Sequence, residues 1–174
     1  MYKRMNEQLQ KEGAMALVTG ASSGIGLAYA RELARRGYDL LLVSNEQERI
    51  GTVAEELAAA FGVKTIPLCM DLARSEAARE LYDYCEREKL QIGILVNNAG
   101  IFFFDDLTEV TPERIETMLL LHIRTVTLLC RYFGAAMKRR RAGYILNMSS
   151  LSAWTPAPGI SVYAASKSYI RKFS

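Results

Sequence analysis

Short apolar runs alternate along the chain with longer amphipathic segments, which is the pattern of successive βαβ units. The apolar runs predict five strands, at 14–19, 38–44, 63–68, 92–96 and 143–148. The amphipathic segments between them predict helices at 24–36, 46–61 and 75–89. Strands with so few polar residues are typical of a parallel sheet that helices cover on both faces. We therefore expect an α/β fold with a doubly wound parallel sheet in three α/β/α layers.

Two further helices are predicted in the second half of the chain. Thr111 is expected to cap a long helix, with Pro112 in its first turn and Glu113 beside its positive end. The apolar positions of this helix recur at helical spacing and are Ile115, Met118, Val126, Leu129 and Phe133. Ser161 is expected to open a last helix.

Length and charge limit the classes of protein. The 174 residues fit a single domain over 1–174, and two independent domains are not expected. A net charge of +3 is too small for a nucleic-acid or membrane surface. The basic run from Lys138 to Arg141 complements the end of the long helix, or else contacts a phosphate or a lipid. The apolar stretch after residue 13 is too short for a signal or a membrane span, so we expect a cytoplasmic protein.

The cysteines do not suggest a metal site. Cys69, Cys85 and Cys130 are odd in number and lack the close pairing of a zinc or redox motif. We expect three buried thiols, a reducing compartment and no bound metal.

A glycine-rich turn joins the first predicted strand to the first predicted helix. It has the sequence Thr19-Gly20-Ala21-Ser22-Ser23-Gly24-Ile25-Gly26. Glycines let the backbone approach a pyrophosphate, which free N–H groups at the helix N-terminus then bind. The strand-to-helix setting favours a dinucleotide site over an ordinary tight turn. The residues expected to bind the cofactor here are Gly20, Ser22, Ser23, Gly24, Ile25 and Gly26.

Candidate catalytic residues lie further along the chain. Tyr163 and Lys167 are four residues apart on the last predicted helix, hence on one face of it. A tyrosine has an ordinary pKa of about 10, so a neighbouring ammonium has to lower that pKa before the phenol exchanges protons efficiently near neutral pH. Ser149 and Ser150 end the fifth predicted strand, where a hydroxyl can hydrogen-bond a substrate oxygen. Taken alone, a Tyr-Lys pair at this spacing is more typical of an ordinary surface helix.

In combination these segments resemble the short-chain dehydrogenase/reductase family. The glycine turn is similar to the family's TGxxxGxG motif, Asn97-Asn98-Ala99-Gly100 to its NNAG segment, and Tyr163 to Lys167 to its YxxxK motif. The resemblance covers nearly the whole chain. It implies a Rossmann-like fold and an NAD(P)-dependent oxidoreductase that interconverts a small-molecule carbonyl compound and its alcohol.

The same resemblance implies roles for individual residues. Ser150 would hold the carbonyl, Tyr163 would be the general acid/base, and Lys167 would also bind the nicotinamide ribose. Asp71 would hydrogen-bond the adenine amino group, although turn capping is the ordinary role of such a residue. The other residues expected in the cofactor site are Asn45, Leu72, Asn98, Ala99 and Gly100.

Two positions depart from the family pattern. His122 stands where many relatives have an asparagine that completes a proton relay to the lysine. An imidazole can both donate and accept, so His122 is a candidate catalytic residue, but a lone histidine on an apolar helical face is as often a core residue. The second strand ends in Ser44-Asn45-Glu46, without the acid typical of NAD enzymes or the arginine typical of NADP enzymes. The absence of an acid at Ser44 gives a lean to NADP(H).

Aromatic residues suggest part of a substrate cleft. Phe102, Phe103 and Phe104 follow the NNAG segment and cannot all point inward. At least one is expected to line the cleft, and packing against the long helix is the alternative. Trp154 and the segment 156–158 are expected to form another wall.

The resemblance also bears on the end of the chain and on assembly. Family members continue beyond the YxxxK helix with two more strands and a substrate loop, whereas this sequence stops at Ser174. We therefore expect a fragment whose sheet exposes an apolar edge and face after Ala142. A homodimer or homotetramer is expected because the long helix and the YxxxK helix form the usual subunit interface in relatives. Two other functions stay open: cofactor binding without turnover, because the substrate region is missing, and isomerisation or epimerisation.

Overall fold

The central sheet of the protein has five parallel strands. The computed structural model describes residues 7–10 and 12–174. The strands, in chain order, are β1 (Met15–Thr19), β2 (Leu40–Ser44), β3 (Thr65–Cys69), β4 (Ile92–Asn97) and β5 (Tyr144–Asn147). Across the sheet their order is β3-β2-β1-β4-β5. The first four strands are connected by the helices α1 (Gly24–Arg35), α2 (Gln47–Phe61) and α3 (Ala77–Arg87). The predicted doubly wound, Rossmann-like parallel sheet is confirmed.

Helices cover both faces of the sheet, as the apolar strands predicted. Val18 on β1 pairs with Leu42 on β2 and with Val96 on β4, and all three belong to one apolar cluster. The neighbouring Leu17 belongs to a second cluster on the opposite face, with Leu95. Alternate residues of a strand point to opposite faces, so the central strands supply both cores. In the described part of the chain, no helix has the length and apolarity to cross a bilayer.

Strand β3 lies at an edge of the sheet, and this position corrects one prediction. The strand begins at Thr65 and not at Val63, and several of its residues are only partly covered. Cys69, at its end, is exposed, whereas Cys85 is buried and Cys130 is half-buried. The expectation of three buried thiols is therefore wrong for Cys69, because an edge strand has a neighbour on only one side.

The long helix is interrupted by a π-helical segment. Helix α4 (Pro112–Leu119) leads into π-helical residues Leu120–Thr125, and α5 (Val126–Arg140) continues beyond them. Thr111 occupies the N-cap position with extended backbone, but its side chain makes no capping hydrogen bond. The predicted helix start is therefore right and the predicted hydroxyl cap is wrong. A π-helical turn inside an α-helix often marks a functional position, and this one contains His122.

The chain ends in a short 3₁₀ turn (Leu151–Ala153) and helix α6 (Ser161–Phe173). An apolar groove of about 350 Å³ lies on the side of the sheet that carries α1. The apolar residues that line it are Tyr29, Leu33, Tyr38, Ile94, Val96, Tyr144 and Leu146. On β5, the neighbouring Ile145 is also an exposed hydrophobic residue. The exposed apolar surface expected near the end of the sheet is thus present.

Candidate active site

A cleft of about 410 Å³ opens at the carboxyl ends of the strands. This is the position at which open α/β sheets bind ligands. Most of the residues predicted to bind a cofactor line it, namely Gly20, Ser22, Ser23, Gly24, Ile25, Asn45, Asp71, Leu72, Asn98, Ala99 and Gly100. Gly26 does not line the cleft and is buried at the start of α1.

The glycine turn owes its shape to two kinds of constraint. Gly20 and Gly24 have positive φ angles of 65° and 54°, a backbone region that side chains disfavour. Gly26 packs so tightly that an added Cβ would lie 2.0 Å from the carbonyl oxygen of Gly20. An added Cβ on Gly24 would meet nothing within 4 Å, so the turn leaves open space on its cleft side.

Thr19 and Asn98 join the glycine turn to the NNAG segment. The buried Thr19 hydroxyl accepts hydrogen bonds from the backbone N–H groups of Asn98 and Ala99, both at 3.0 Å. The same hydroxyl lies 3.3 Å from the carbonyl oxygen of Val96, to which it donates. The Asn98 side-chain amide donates to the carbonyl oxygens of Thr19 at 3.1 Å and Gly20 at 3.2 Å. The Asn98 amide nitrogen is thus engaged in bracing the turn.

Polar residues at the far end of the cleft are partly engaged by the chain itself. The Ser44 hydroxyl donates to the Ser22 hydroxyl at 3.0 Å and accepts from the backbone N–H of Glu46. One Asp71 carboxylate oxygen accepts a hydrogen bond from the backbone N–H of Ala73 at 2.9 Å. That bond is the turn capping expected as the ordinary role of such a residue. Asn45 is exposed at the cleft wall.

A second cleft of about 370 Å³ adjoins the first and contains the predicted catalytic group. Ser150, Tyr163 and Lys167 all line it. Ile25 and Gly100 line both clefts, so the two lie side by side. The structure therefore brings together the predicted serine, tyrosine and lysine. The serine was expected at the end of the fifth strand, but β5 ends at Asn147 and Ser150 instead caps the 3₁₀ turn.

Lys167 is buried beside the tyrosine. Its side chain is only 6% exposed, and Nζ donates a hydrogen bond of 2.9 Å to the carbonyl oxygen of Met148. Nζ also lies 5.7 Å from the centre of the Tyr163 ring. Burial lowers the pKa of Lys167 from 10.5 to about 8, because the charged ammonium loses hydration.

The two neighbouring serines have different surroundings. The Ser149 hydroxyl donates to the backbone carbonyl oxygen of Lys167 at 2.9 Å, so it ties the segment after β5 to α6. The Ser150 hydroxyl accepts from the backbone N–H of Ser152 at 3.2 Å and is half-buried at the cleft wall. Its proton can be turned towards a ligand once the contact with the Ser152 hydroxyl, at 3.3 Å, is given up. The Ser150 hydroxyl is therefore more available to a ligand in the cleft than the Ser149 hydroxyl, which is bonded to the backbone of α6.

His122 is buried next to this group. Its ring contacts that of Tyr163 edge to face, with centroids 5.8 Å apart. Nε2 accepts a hydrogen bond of 3.0 Å from the backbone N–H of Ile101, and Nδ1 lies 2.9 Å from the Ser166 hydroxyl. Burial, with a smaller contribution from the Lys167 charge, lowers the pKa of His122 from 6.5 to about 3.

The three consecutive phenylalanines point in different directions. Phe103 is buried with Val110 and Met118, while Phe102 and Phe104 are exposed. Phe102 lines the second cleft and contacts the Tyr163 ring edge to face at 4.9 Å. Trp154 is exposed and has the guanidinium of Arg171 stacked over its ring.

Sequence reasoning missed several residues that shape the site. Ser166 is fully buried and connects His122 to the backbone of Tyr163. Met148 contributes the carbonyl oxygen that holds Lys167. No signal in the sequence distinguishes these two residues from ordinary core positions. The bond between Thr19 and the NNAG segment could have been predicted from the sequence, because Thr19 is the first residue of the glycine motif.

Comparisons with known proteins agree with this architecture. A family model described as short chain dehydrogenase matches residues 14–174. A very-long-chain 3-oxoacyl-CoA reductase of Anas platyrhynchos is 38% identical over 169 residues, which cover 93% of this chain and 53% of the relative. The inactive hydroxysteroid dehydrogenase-like protein 1 of Homo sapiens is 33% identical, with 95% and 51% covered. A short-chain dehydrogenase from Sphingobium yanoikuyae, solved in complex with NADPH, superposes with a TM-score of 0.87 at 35% identity, covering 92% of this chain and 62% of that one.

The fold is the Rossmann-like fold of the short-chain dehydrogenases, with its clefts at the carboxyl ends of the strands. The chain belongs to the short-chain dehydrogenase family, since the family model covers nearly all of it. It spans about half the length of the curated relatives that it matches.

Proposed function

We propose that the protein is an NAD(P)-dependent oxidoreductase that interconverts a carbonyl compound and its alcohol. The observation that carries the proposal is that Ser150, Tyr163 and Lys167 line one cleft, which shares the lining residues Ile25 and Gly100 with the glycine-turn cleft. A reacting carbonyl in the second cleft would therefore lie beside whatever group the first cleft holds.

The glycine-turn cleft fits a dinucleotide. Its volume of about 410 Å³ lies in the range of cofactor sites, and the open space at Gly24 allows a phosphate to approach the backbone closely. The first backbone N–H groups of α1 have no acceptor within the helix and can hold the phosphates. Asn45, Asp71 and Leu72 would contact the adenosine half, while Tyr163 and Lys167 would contact the nicotinamide ribose. When bound, such a cofactor supplies or accepts the hydride.

The side chains of the second cleft would handle the proton. In reduction, a hydride adds to the carbonyl carbon, and the Tyr163 hydroxyl gives its proton to the oxygen, so that the alcohol forms. In oxidation, the Tyr163 phenolate takes the alcohol proton while the hydride leaves. Ser150 would hold the substrate oxygen as its charge changes. The buried ammonium of Lys167, close to the Tyr163 ring, would stabilise the negative charge that develops on the phenol oxygen as its proton leaves.

The walls of the second cleft favour a bulky apolar substrate. Phe102 is 60% exposed, and its ring contacts the ring of Tyr163, the proposed proton donor. An exposed aromatic ring at that place would gain contact area from an apolar substrate body.

Replacement of the tyrosine hydroxyl tests the proposal. Tyr163→Phe is expected to lower kcat at least a hundredfold, because it removes the proton donor, while the affinity for NADPH changes by less than about threefold. Tyr169→Phe, on the same helix, is the matched control and is expected to keep activity. Steady-state absorbance kinetics on a panel of ketones and aldehydes, with cofactor titration by fluorescence, measures both quantities. Full activity of Tyr163→Phe would show that the mechanism is wrong.

A second candidate function is cofactor binding without turnover. It is favoured by the similarity to a relative that is named as inactive. This candidate predicts that the unmodified protein binds NADPH and reduces none of the carbonyl compounds tested.

The cofactor preference follows from the end of β2. Ser44 presents no carboxylate to the ribose, so we propose a preference for NADP(H) over NAD(H). The solved relative in complex with NADPH supports the same choice. Titration with both reduced cofactors measures it, and clearly tighter binding of NADH would reverse the assignment.

A further inference from the structure

His122 has its two ring nitrogens committed to opposite partners. It is the single histidine of the chain and is 1% exposed. From the π-helical segment its ring reaches the residue after the NNAG segment on one side and helix α6 on the other. Gly100 leaves the space for the ring, since an added Cβ there would lie 3.0 Å from Nε2.

The hydrogen bonds of the ring define a single tautomer. The backbone N–H of Ile101 can only donate, so Nε2 has to carry the lone pair. The Ser166 hydroxyl gives its one proton to the carbonyl oxygen of Tyr163 at 2.7 Å. It can therefore only accept from the ring, so Nδ1 has to carry the proton.

The surroundings of the ring also disfavour a charged imidazole. A protonated Nε2 would point its hydrogen at the N–H of Ile101 and lose that bond. The titratable groups that face the ring, Tyr163 and Lys167, both lie on α6, and Ile101 and Gly100 bring none. The Lys167 ammonium repels a second positive charge, and the low pKa of His122 agrees with the hydrogen bonds.

We propose that His122 is a positioning residue: a neutral Nδ1–H tether that holds the Tyr163 turn of α6 against the segment after Gly100, without relaying protons. The tether runs from the N–H of Ile101 through His122 and Ser166 to the carbonyl oxygen of Tyr163. A relay would require Ser166 to pass its proton to a backbone carbonyl, which is far too weak a base. Only the catalytic consequence of the tether rests on the proposed function.

The tautomer can be tested without any activity measurement. In long-range ¹H–¹⁵N spectra of the histidine-labelled chain, His122 is expected as an Nδ1–H tautomer that does not titrate between about pH 8 and pH 5. The signal is assigned by its loss in the His122→Asn variant. An Nε2–H tautomer, or a titration near the ordinary pKa of 6.5, would overturn the tether.

The catalytic consequence is tested by removing the Ser166 hydroxyl, which links the His122 ring to the carbonyl oxygen of Tyr163. Ser166→Ala is expected to lower kcat about tenfold or more, since small misplacements of a reacting group are costly. The midpoint of the pH profile of kcat is expected to stay unchanged, because no titrating group is lost. The matched control is Thr127→Val, which removes another bond between the long helix and α6, the one from Thr127 to the Tyr169 hydroxyl.

The outcomes separate this inference from the proposed function. A shifted pH midpoint in Ser166→Ala would indicate a relay, and a kcat equal to that of Thr127→Val would indicate plain packing; either result overturns the positioning role. If no carbonyl compound is turned over, the proposed function fails, while the spectrum still decides whether the tether exists.

Discussion

The Lys167 ammonium donates a hydrogen bond of 2.9 Å to the carbonyl oxygen of Met148, two residues before Ser150. The bond fixes the ammonium beside the tyrosine, but it restores only part of the hydration lost on burial. Burial lowers the pKa of Lys167 from 10.5 to about 8, so the charged form is less stable in the folded protein than in the unfolded one.

Lys167→Met is expected to stabilise the cofactor-free protein while it lowers turnover. Below a pH of about 8 both states carry the proton, and the desolvation cost is fully present. Between about 8 and 10.5 the unfolded state binds more protons, so the free energy of unfolding of the unchanged protein rises with pH. The variant should lack this rise and gain about 1–3 kcal/mol at pH 7.

Urea denaturation across this pH window measures the effect. Lys172→Met, which replaces an exposed lysine of the same helix, is the control. It should change neither the free energy of unfolding nor the turnover. A Lys167→Met variant that is less stable at every pH would show that the bond to Met148 outweighs the desolvation.

Gly26→Ala is expected to damage the cofactor cleft, although Gly26 itself does not line it. The new methyl group would lie 2.0 Å from the carbonyl oxygen of Gly20 and 2.5 Å from Nδ2 of Asn98. Because backbone has to move, we expect a loss of about 2 kcal/mol or more in stability and at least tenfold in NADPH affinity. Gly51→Ala on α2 meets nothing within 4 Å and should instead stabilise by about 0.5–1 kcal/mol. Thermal denaturation and fluorescence titration compare the two, and unchanged NADPH binding in Gly26→Ala would contradict the expected strain.

The cysteines are expected to differ in reactivity with a thiol reagent. Cys69 is exposed and should react quickly in the native protein. Cys85 is 1% exposed, and burial raises its pKa to about 12, so it should react only on unfolding. Colour development with an aromatic disulfide reagent follows both phases. Cys69→Ser should remove the fast phase. If the fast phase persists in this variant, it belongs to Cys130.

Local sequence signals were sufficient for the sheet and for the main residues of the site. The glycine turn and the Tyr163–Lys167 pair are encoded within eight residues or fewer, so their placement follows from the ends of a strand and one helical face. Ser150, three residues beyond β5, joins them because parallel strands end at the same edge. The roles of these residues in binding and catalysis stay predictions.

Tertiary contacts decided what the sequence could not show. The exposure of Cys69 depends on β3 being an edge strand, which no residue in that strand reveals. The π-helical segment and the Ser166 link depend on how the long helix packs against α6. The apolar residues of the long helix, such as Leu129 and Phe133, are buried within the chain, so they give no independent support for a subunit interface. A homo-oligomer, a cytoplasmic location and a single domain over 1–174 stay predictions.

The brace between Thr19 and Asn98 has a consequence for the kinetics of ligand association. Five hydrogen bonds join Thr19 and Gly20, at the start of the loop that would receive the phosphates, to strand β4 and the residues that follow it. A loop fixed in this way loses little conformational entropy when a ligand arrives. Association should then be a single fast step that depends on encounter, and dissociation should set the differences in affinity between cofactors.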